Sequence, residues 1–244
     1  MPKYSSADVG FFLVGGYNLL ADTTVLGVSK SAETKESTVL GDTWRTHVAT
    51  GLKNGEFSQD GFFDDRVDGI HDRLKSYSGD EKVGMIALEG NAVGDAMIGF
   101  EGLVQVAYER RTSLGELVGA KAGYKVSGSV EEGVVLAPLA TRADDGDTIS
   151  NSIDLGASSA DGGVLWTNVT ALDLDGGDSL NIRLIDSDDD ITFAVVTFTA
   201  FTTRLGQKDV FAGALERYVA CQWEYVGSEG AAATSTFAVG LTVN

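Results

Sequence analysis

The feature that most constrains this chain is a period-two alternation of apolar residues. Leu180, Ile182 and Leu184 fall on one side of a run with Arg183 opposite. Val219, Cys221, Trp223 and Tyr225 share a face, as do Phe237, Val239, Leu241 and Val243. Successive side chains leave a strand on opposite sides, so runs of this kind make antiparallel strands with one buried face. Gly and Asp separate them. With 31 Gly and only 2 Pro among 244 residues, short β-branched and aromatic runs between Gly turns favour an all-β fold.

The earlier part of the chain reads in the same way. Phe11 to Val14 ends at Gly15-Gly16, and Val25 to Lys30 follows. Val83 to Leu88 places Val83, Met85 and Ala87 on one face. In Leu103 to Arg111, Val104, Val106 and Tyr108 oppose Gln105 and Glu109. Tyr124, Val126 and Val130 then fall at even spacing, before Val134 to Leu136. At APLATRADDGDTIS a Pro, a charge run and a Gly shift the composition, and the domain boundary is expected there. That gives a β domain over 1–137, a linker over 138–150 and a β-sandwich over 151–244.

One short helix is expected over 64–76. Asp64 or Asp65 can cap it, and Val67, Ile70 and Leu74 share its face. GEFSQDGFF before it, with Phe57 and Phe63 on either side of a Gly, reads as strand then turn. Ser31 to Thr50 is a long polar connection whose single large aromatic is Trp44. Connections of that length inside a compact β domain are functional or flexible. Trp44 either anchors a contact with another subunit or packs on its own domain, and the two readings balance.

A formal net charge of −18 argues against a protein that binds nucleic acid by neutralising phosphates, because that needs clustered Lys and Arg. It is compatible with DNA passing along a wall that repels it, and also with nothing more than solubility. Cys221 is the only cysteine, so no intrachain disulfide forms. MPKYSSADVG lacks the apolar core of a signal peptide and FFLV is too short to span a bilayer, so a soluble cytoplasmic product is expected.

Chemistry is sparse. His47 and His71 are the only histidines, so no histidine cluster can hold zinc, and no GxSxG elbow, Walker loop or dinucleotide loop occurs. The expectation is a chain with no catalytic, cofactor-binding or metal-binding residues, and not an enzyme. Asp173, Asp175 and Asp178 in DLDGGDS, with Asp186, Asp188, Asp189 and Asp190 in DSDDD, offer oxygens to Ca²⁺. Neither has the full loop spacing with a terminal Glu, and Asp with Gly is also the ordinary composition of tight turns.

Several stretches together resemble the tail tube (major tail) proteins of long-tailed, non-contractile-type phages. They are GGYN at Gly15 to Asn18, the strand running into VSKSAETKESTVLGDTW, Gly51 to Lys53, GFFDD before the helix, and ALERYVACQWEYVGSEGAAATSTFAVGLTVN at the end. The resemblance implies a tail-tube-like β-sandwich or barrel domain with one flanking helix, followed here by a second β-sandwich. It implies a structural virion protein whose rings share an inner β-barrel and stack into a tube. The lumen of such a tube holds the tape-measure protein and then conducts double-stranded DNA without binding it specifically. Tail-terminator or tip proteins are further implied partners, with no membrane, and the implied location is the virion tail after assembly in the host cytoplasm. It assigns 31–52 to an arm reaching the next ring and places the oligomer interface at Thr43, Trp44, Arg45, Thr46, His47, Leu52 and Phe57. The competing reading is a carbohydrate-binding or decoration module built on the C-terminal sandwich. That reading needs exposed aromatics; Trp223 and Tyr225 share the face of Val219, which favours core, and Trp166 is open.

Overall fold

The computed structural model describes residues 8–37, 47–66, 70–77, 79–112, 117–174, 178–227 and 233–244, apart from the side chains of 47–53 and 70. Among these the chain is all-β with one short helix. In chain order the elements are β1 (Phe11–Val14), β2 (Tyr17–Asn18), β3 (Thr23–Glu36), β4 (His47–Phe62), α1 (Ile70–Leu74), β5 (Glu81–Ala87) and β6 (Ala96–Arg111). Next come β7 (Gly119–Val126), β8 (Val130–Arg142), β9 (Gly146–Asp147) and β10 (Ile153–Asp154). The last six are β11 (Gly163–Asp173), β12 (Ser179–Ser187), β13 (Ala194–Phe201), β14 (Leu205–Phe211), β15 (Tyr218–Val226) and β16 (Thr234–Val243).

Two compact units divide the chain, and not at the expected linker. The first takes Met1–Ala21, Lys82–Phe100 and Glu131–Asn244; the second takes Asp22–Glu81 and Glu101–Val130. Residues 138–150 fail as a linker because β8 runs through Pro138 to Arg142 and is laddered to β16. Pro138 falls where that register shifts, between Phe237↔Ala140 and Val239↔Ala137, so its missing N–H costs the ladder little.

The first unit holds a sandwich. One sheet contains β14, β11, β16 and β8, then the Ala96–Phe100 end of β6, followed by β5, β1 and β2; the other runs β10, β15, β12, β13, with β9 also on β15. The alternation read from sequence is realised between them. Leu180, Ile182, Leu184, Val219, Cys221, Phe237, Val239 and Leu241 form one buried core, with Trp223, Tyr225 and Val243 packed against it. Burial pushes the Cys221 thiol up to about 12, so it is a packing group.

The other face of the first sheet is also buried, over Phe11, Leu13, Met85, Met97, Val135, Val164, Trp166 and Ala238. Phe11 in β1 and Trp166 in β11 are five strands apart in the sheet order yet share this core, so the sheet curls over on itself. Gly99 allows the curl: a Cβ there would overlap the Trp166 indole. At the β1–β2 turn, Gly15 and Gly16 adopt φ of 55° and 86°, and the Gly16 amide donates to Asn168 Oδ1 at 2.9 Å.

The second unit is a four-stranded antiparallel sheet in the order β3, β4, β7, and the Glu101–Arg111 end of β6. Its helix is shorter than expected, Ile70–Leu74 against 64–76. The Asp64 Oδ1 takes the Arg66 amide at 3.0 Å in a local turn and its carboxylate pairs with the Arg66 guanidinium, while the Asp64 carbonyl accepts the His71 amide of the helix at 3.0 Å. Leu74 is fully buried, as the helical spacing requires. Residue 67 lies outside the described residues. The Gly turn expected between Phe57 and Phe63 is instead continuous β4, where Gly61 admits the Asp22 backbone and the Phe62 amide donates to Asp22 O at 2.8 Å.

Candidate assembly surface

The second unit's sheet presents two unlike faces and one long edge. The inner face carries Phe57, Gln59, Ala120, Ala122 and Tyr124, all buried. Phe57 and Tyr124 pack with ring centroids 5.6 Å apart, the Tyr124 hydroxyl donates to Gln59 Oε1 at 3.3 Å, and Gln59 Nε2 donates to Thr23 Oγ1 at 2.7 Å. Burial raises the Tyr124 phenol far above its ordinary value. Beside this core the His71 ring lies 4.6 Å from that of Phe63, with Nδ1 2.6 Å from the Tyr108 hydroxyl. A cleft of about 460 Å³ opens there along His71, Lys75, Gln105, Tyr108 and Arg110.

The outer face is built of cross-strand rows. Val25, Asp60, Lys121 and Glu109 face one another across four strands; the next row is Gly27, Ser58, Gly123 and Ala107; the third is Ser29, Glu56, Lys125 and Val104. Lys121 lies 3.9 Å from Asp60. Gly27, Ser58 and Gly123 of the middle row line a depression of about 350 Å³ between rows of mixed charge. One expectation is reversed: Val106 is 56% exposed while Gln105 is buried at 5%. Gln105 opposes the buried Tyr124, and the β-bulge between Gln105 and Ala107 then brings Tyr108, opposite Ala122, onto that same inner face.

The edge is β3. Among the described residues this fourteen-residue strand ladders to β4. β7 covers β4 from Gly55 to Phe62, so Ser31–Glu36 and His47–Asn54 make a two-stranded ribbon beyond the sheet. Every residue from Ser29 to Glu36 is exposed. The polar connection expected from Ser31 onward is therefore strand on both sides, hidden from the sequence because neither face of the ribbon alternates in polarity.

Of the interface residues expected, Thr43, Trp44, Arg45 and Thr46 lie outside the described residues. His47 opposes Glu36 at the start of β4, and Leu52 falls at the irregularity between Thr34↔Ala49 and Ala32↔Lys53. Phe57 is corrected: at 3% exposure it is consumed by its own core. Trp166 is fully buried and can offer no platform to a sugar. The feature that sequence did not reveal is the length of the β3 edge, for which polar residues carry no periodic signal.

The Asp-rich turn over 186–190 is explained by its own hydrogen bonds. Asp189 Oδ1 accepts the Ile191 and Thr192 amides at 2.9 Å and the Ser187 hydroxyl, which together hold its carboxyl below the ordinary range. Asp186 Oδ2 accepts the Glu216 amide at 2.9 Å. Among the described residues no group of three or more His, Cys, Asp or Glu could hold a metal ion. Residues 175–177 of the other acidic turn lie outside the description.

No family model matches the sequence, and no curated protein matches it. Among solved structures, a chain in the tail of an empty gene transfer agent particle with C6 symmetry is 14% identical. That match covers 45% of this chain and 80% of that one, with a TM-score of 0.36. A chain of the native gene transfer agent virion is also 14% identical over 53% and 98%, with a TM-score of 0.41. The Dit protein of SPP1, described as a hub adsorption apparatus in phages infecting Gram-positive hosts, is 11% identical over 96% and 99%, with a TM-score of 0.36. Scores this low carry no argument about family or function.

Proposed function

We propose that the chain is a structural, non-enzymatic virion subunit that polymerises through the second unit's sheet into stacked rings forming a phage tail tube. The observation that carries this reading is the length of β3: fourteen residues, about 46 Å of extended chain, laddered to β4 among the described residues, with a ribbon extending past the part of β4 that β7 covers. A long strand edge is a template for another chain, and a lone two-stranded ribbon is marginal in water, so both gain by meeting a neighbour. β3 and the Glu101–Arg111 end of β6 lie on opposite sides of β4 and β7, an order that lets one subunit's β3 meet the β6 side of the next, head to tail, and close a ring. The ribbon then serves as the contact to the next ring, with Trp44 between its two strands in the sequence. The resemblance of GGYN, GFFDD and the C-terminal run to tail tube proteins supports the same reading. In it, DNA crosses an acidic lumen, and the tape-measure and terminator or tip proteins are the other partners.

The test is negative-stain electron microscopy with light scattering on the purified protein, beside a variant in which 34–49 is replaced by an Asn-Gly turn. Rings or hollow tubes are expected for the natural chain, and a monomer with unchanged melting for the variant. Tubes from the shortened chain would remove the ribbon from the contact. A natural chain that stays monomeric at every concentration, even when seeded with fragments of assembled tail, would overturn the reading.

A further inference from the structure

The outer face of the first unit's second sheet carries a feature that tube formation does not use. Phe198 on β13 is 60% exposed. It opposes Arg183 on β12, which opposes Gln222 on β15, which opposes Asp147 on β9, so one row crosses four strands. The adjoining row is Ala200, Asn181 and Glu224. Arg183 is fixed in this surface: Nη1 donates to Gln222 Oε1 at 3.2 Å and Nη2 pairs with Glu224. Asp145 is fixed by the Tyr225 amide at 2.7 Å and Asp147 by the Ile149 amide at 3.0 Å. Between them lies a depression of about 310 Å³, at the small end of ligand sites. Beneath it Gly146 packs directly on the Trp223 indole, which a Cβ would strike, and Trp223 Nε1 donates to Asp144 O at 2.9 Å.

We propose that this face binds a neutral oligosaccharide. A pyranose offers a face of C–H bonds and an equator of hydroxyl groups. Phe198 supplies the aromatic ring whose negative face accepts those C–H bonds. The planar guanidinium, amide and carboxylate groups of Arg183, Gln222, Asn181, Asp147 and Glu224 supply paired donors and acceptors for neighbouring hydroxyls. Because backbone amides and ion pairs already hold these groups, little rotamer freedom is lost on binding. Charge selects the class: Glu224 offsets Arg183, and Asp145 and Asp147 remain, so uronic or sialic acids are repelled. The inference stands apart from polymerisation, since the site lies wholly on the first unit.

Saturation-transfer difference NMR tests it on tube or monomer alike. The probes are tetrasaccharides of glucose, galactose and N-acetylglucosamine at millimolar concentration, with tetragalacturonate as the acidic comparison. Transfer to the C–H protons of at least one neutral probe is expected, with none to the acidic one. Phe198→Ala and Arg183→Ala should each weaken binding about tenfold or more, with circular dichroism unchanged. Arg183→Lys, which keeps the charge and loses the fork, should not restore it. No transfer to any neutral probe, or transfer undiminished in Phe198→Ala, would overturn the proposal and leave the tube reading intact.

Discussion

Trp166 shows how a single residue sets the limits on its neighbours. Its indole is fully buried, donates from Nε1 to Thr242 Oγ1 at 3.1 Å, and has the Lys208 ammonium 5.3 Å from its ring centre. Lys208 is itself held by Glu131 at 3.4 Å. A ring fixed on so many sides cannot retreat, so Gly99→Ala forces overpacking where the sheet curls. The expected cost is about 1–3 kcal/mol, seen as a lower urea midpoint with unchanged slope. An unchanged midpoint would mean that β6 shifts away from the indole without cost. Arg142 gives the complementary case, a cation held without a carboxylate. Its guanidinium stacks 4.6 Å from the Trp223 ring centre and 4.0 Å from that of Phe237, and it donates to the carbonyls of Pro138, Ala140 and Phe237.

Among the elements, legibility followed the burial pattern. β12, β15 and β16 were readable because one face of each meets a core, and Leu180, Cys221 and Phe237 reported that directly. β1 was readable to the residue, since FFLV is bounded by two turn glycines. Bulges interrupted the alternation in β6, where Tyr108 joins Gln105 on the inner face, and in β8, where Pro138 sits in a strand whose composition reads as a linker. The assembly surface was half legible: Ser31 to Thr50 stood out as a polar stretch, but polar ribbon and polar loop have the same composition. Trp44 is the one aromatic residue that the sequence places between the ribbon's two strands. Trp44→Ala should leave the melting curve unchanged and raise the concentration at which light scattering first detects polymer. Polymer appearing at the natural concentration would leave the ribbon's backbone edges as the contact.

At the level of the whole molecule, net charge opposes assembly. Chains carrying −18 each repel one another, and the repulsion extends over a screening length of about 10 Å at 0.1 M salt, shrinking to about 3 Å at 1 M. Polymerisation should therefore strengthen as salt rises from low to physiological concentration, the reverse of a contact held mainly by ion pairs. Light scattering across a salt series measures the sign. Weaker assembly with added salt would shift the contact from the strand edge to the charged rows of Asp60, Lys121 and Glu109. The interleaving of the units bears on synthesis as well. The second unit is complete once Val130 has been made, whereas the first needs β16, its last strand, between β11 and β8. At about 5–20 residues per second, the ribosome presents a finished strand edge for several seconds before Phe11, which left it near the start, can be sealed beneath Ala238.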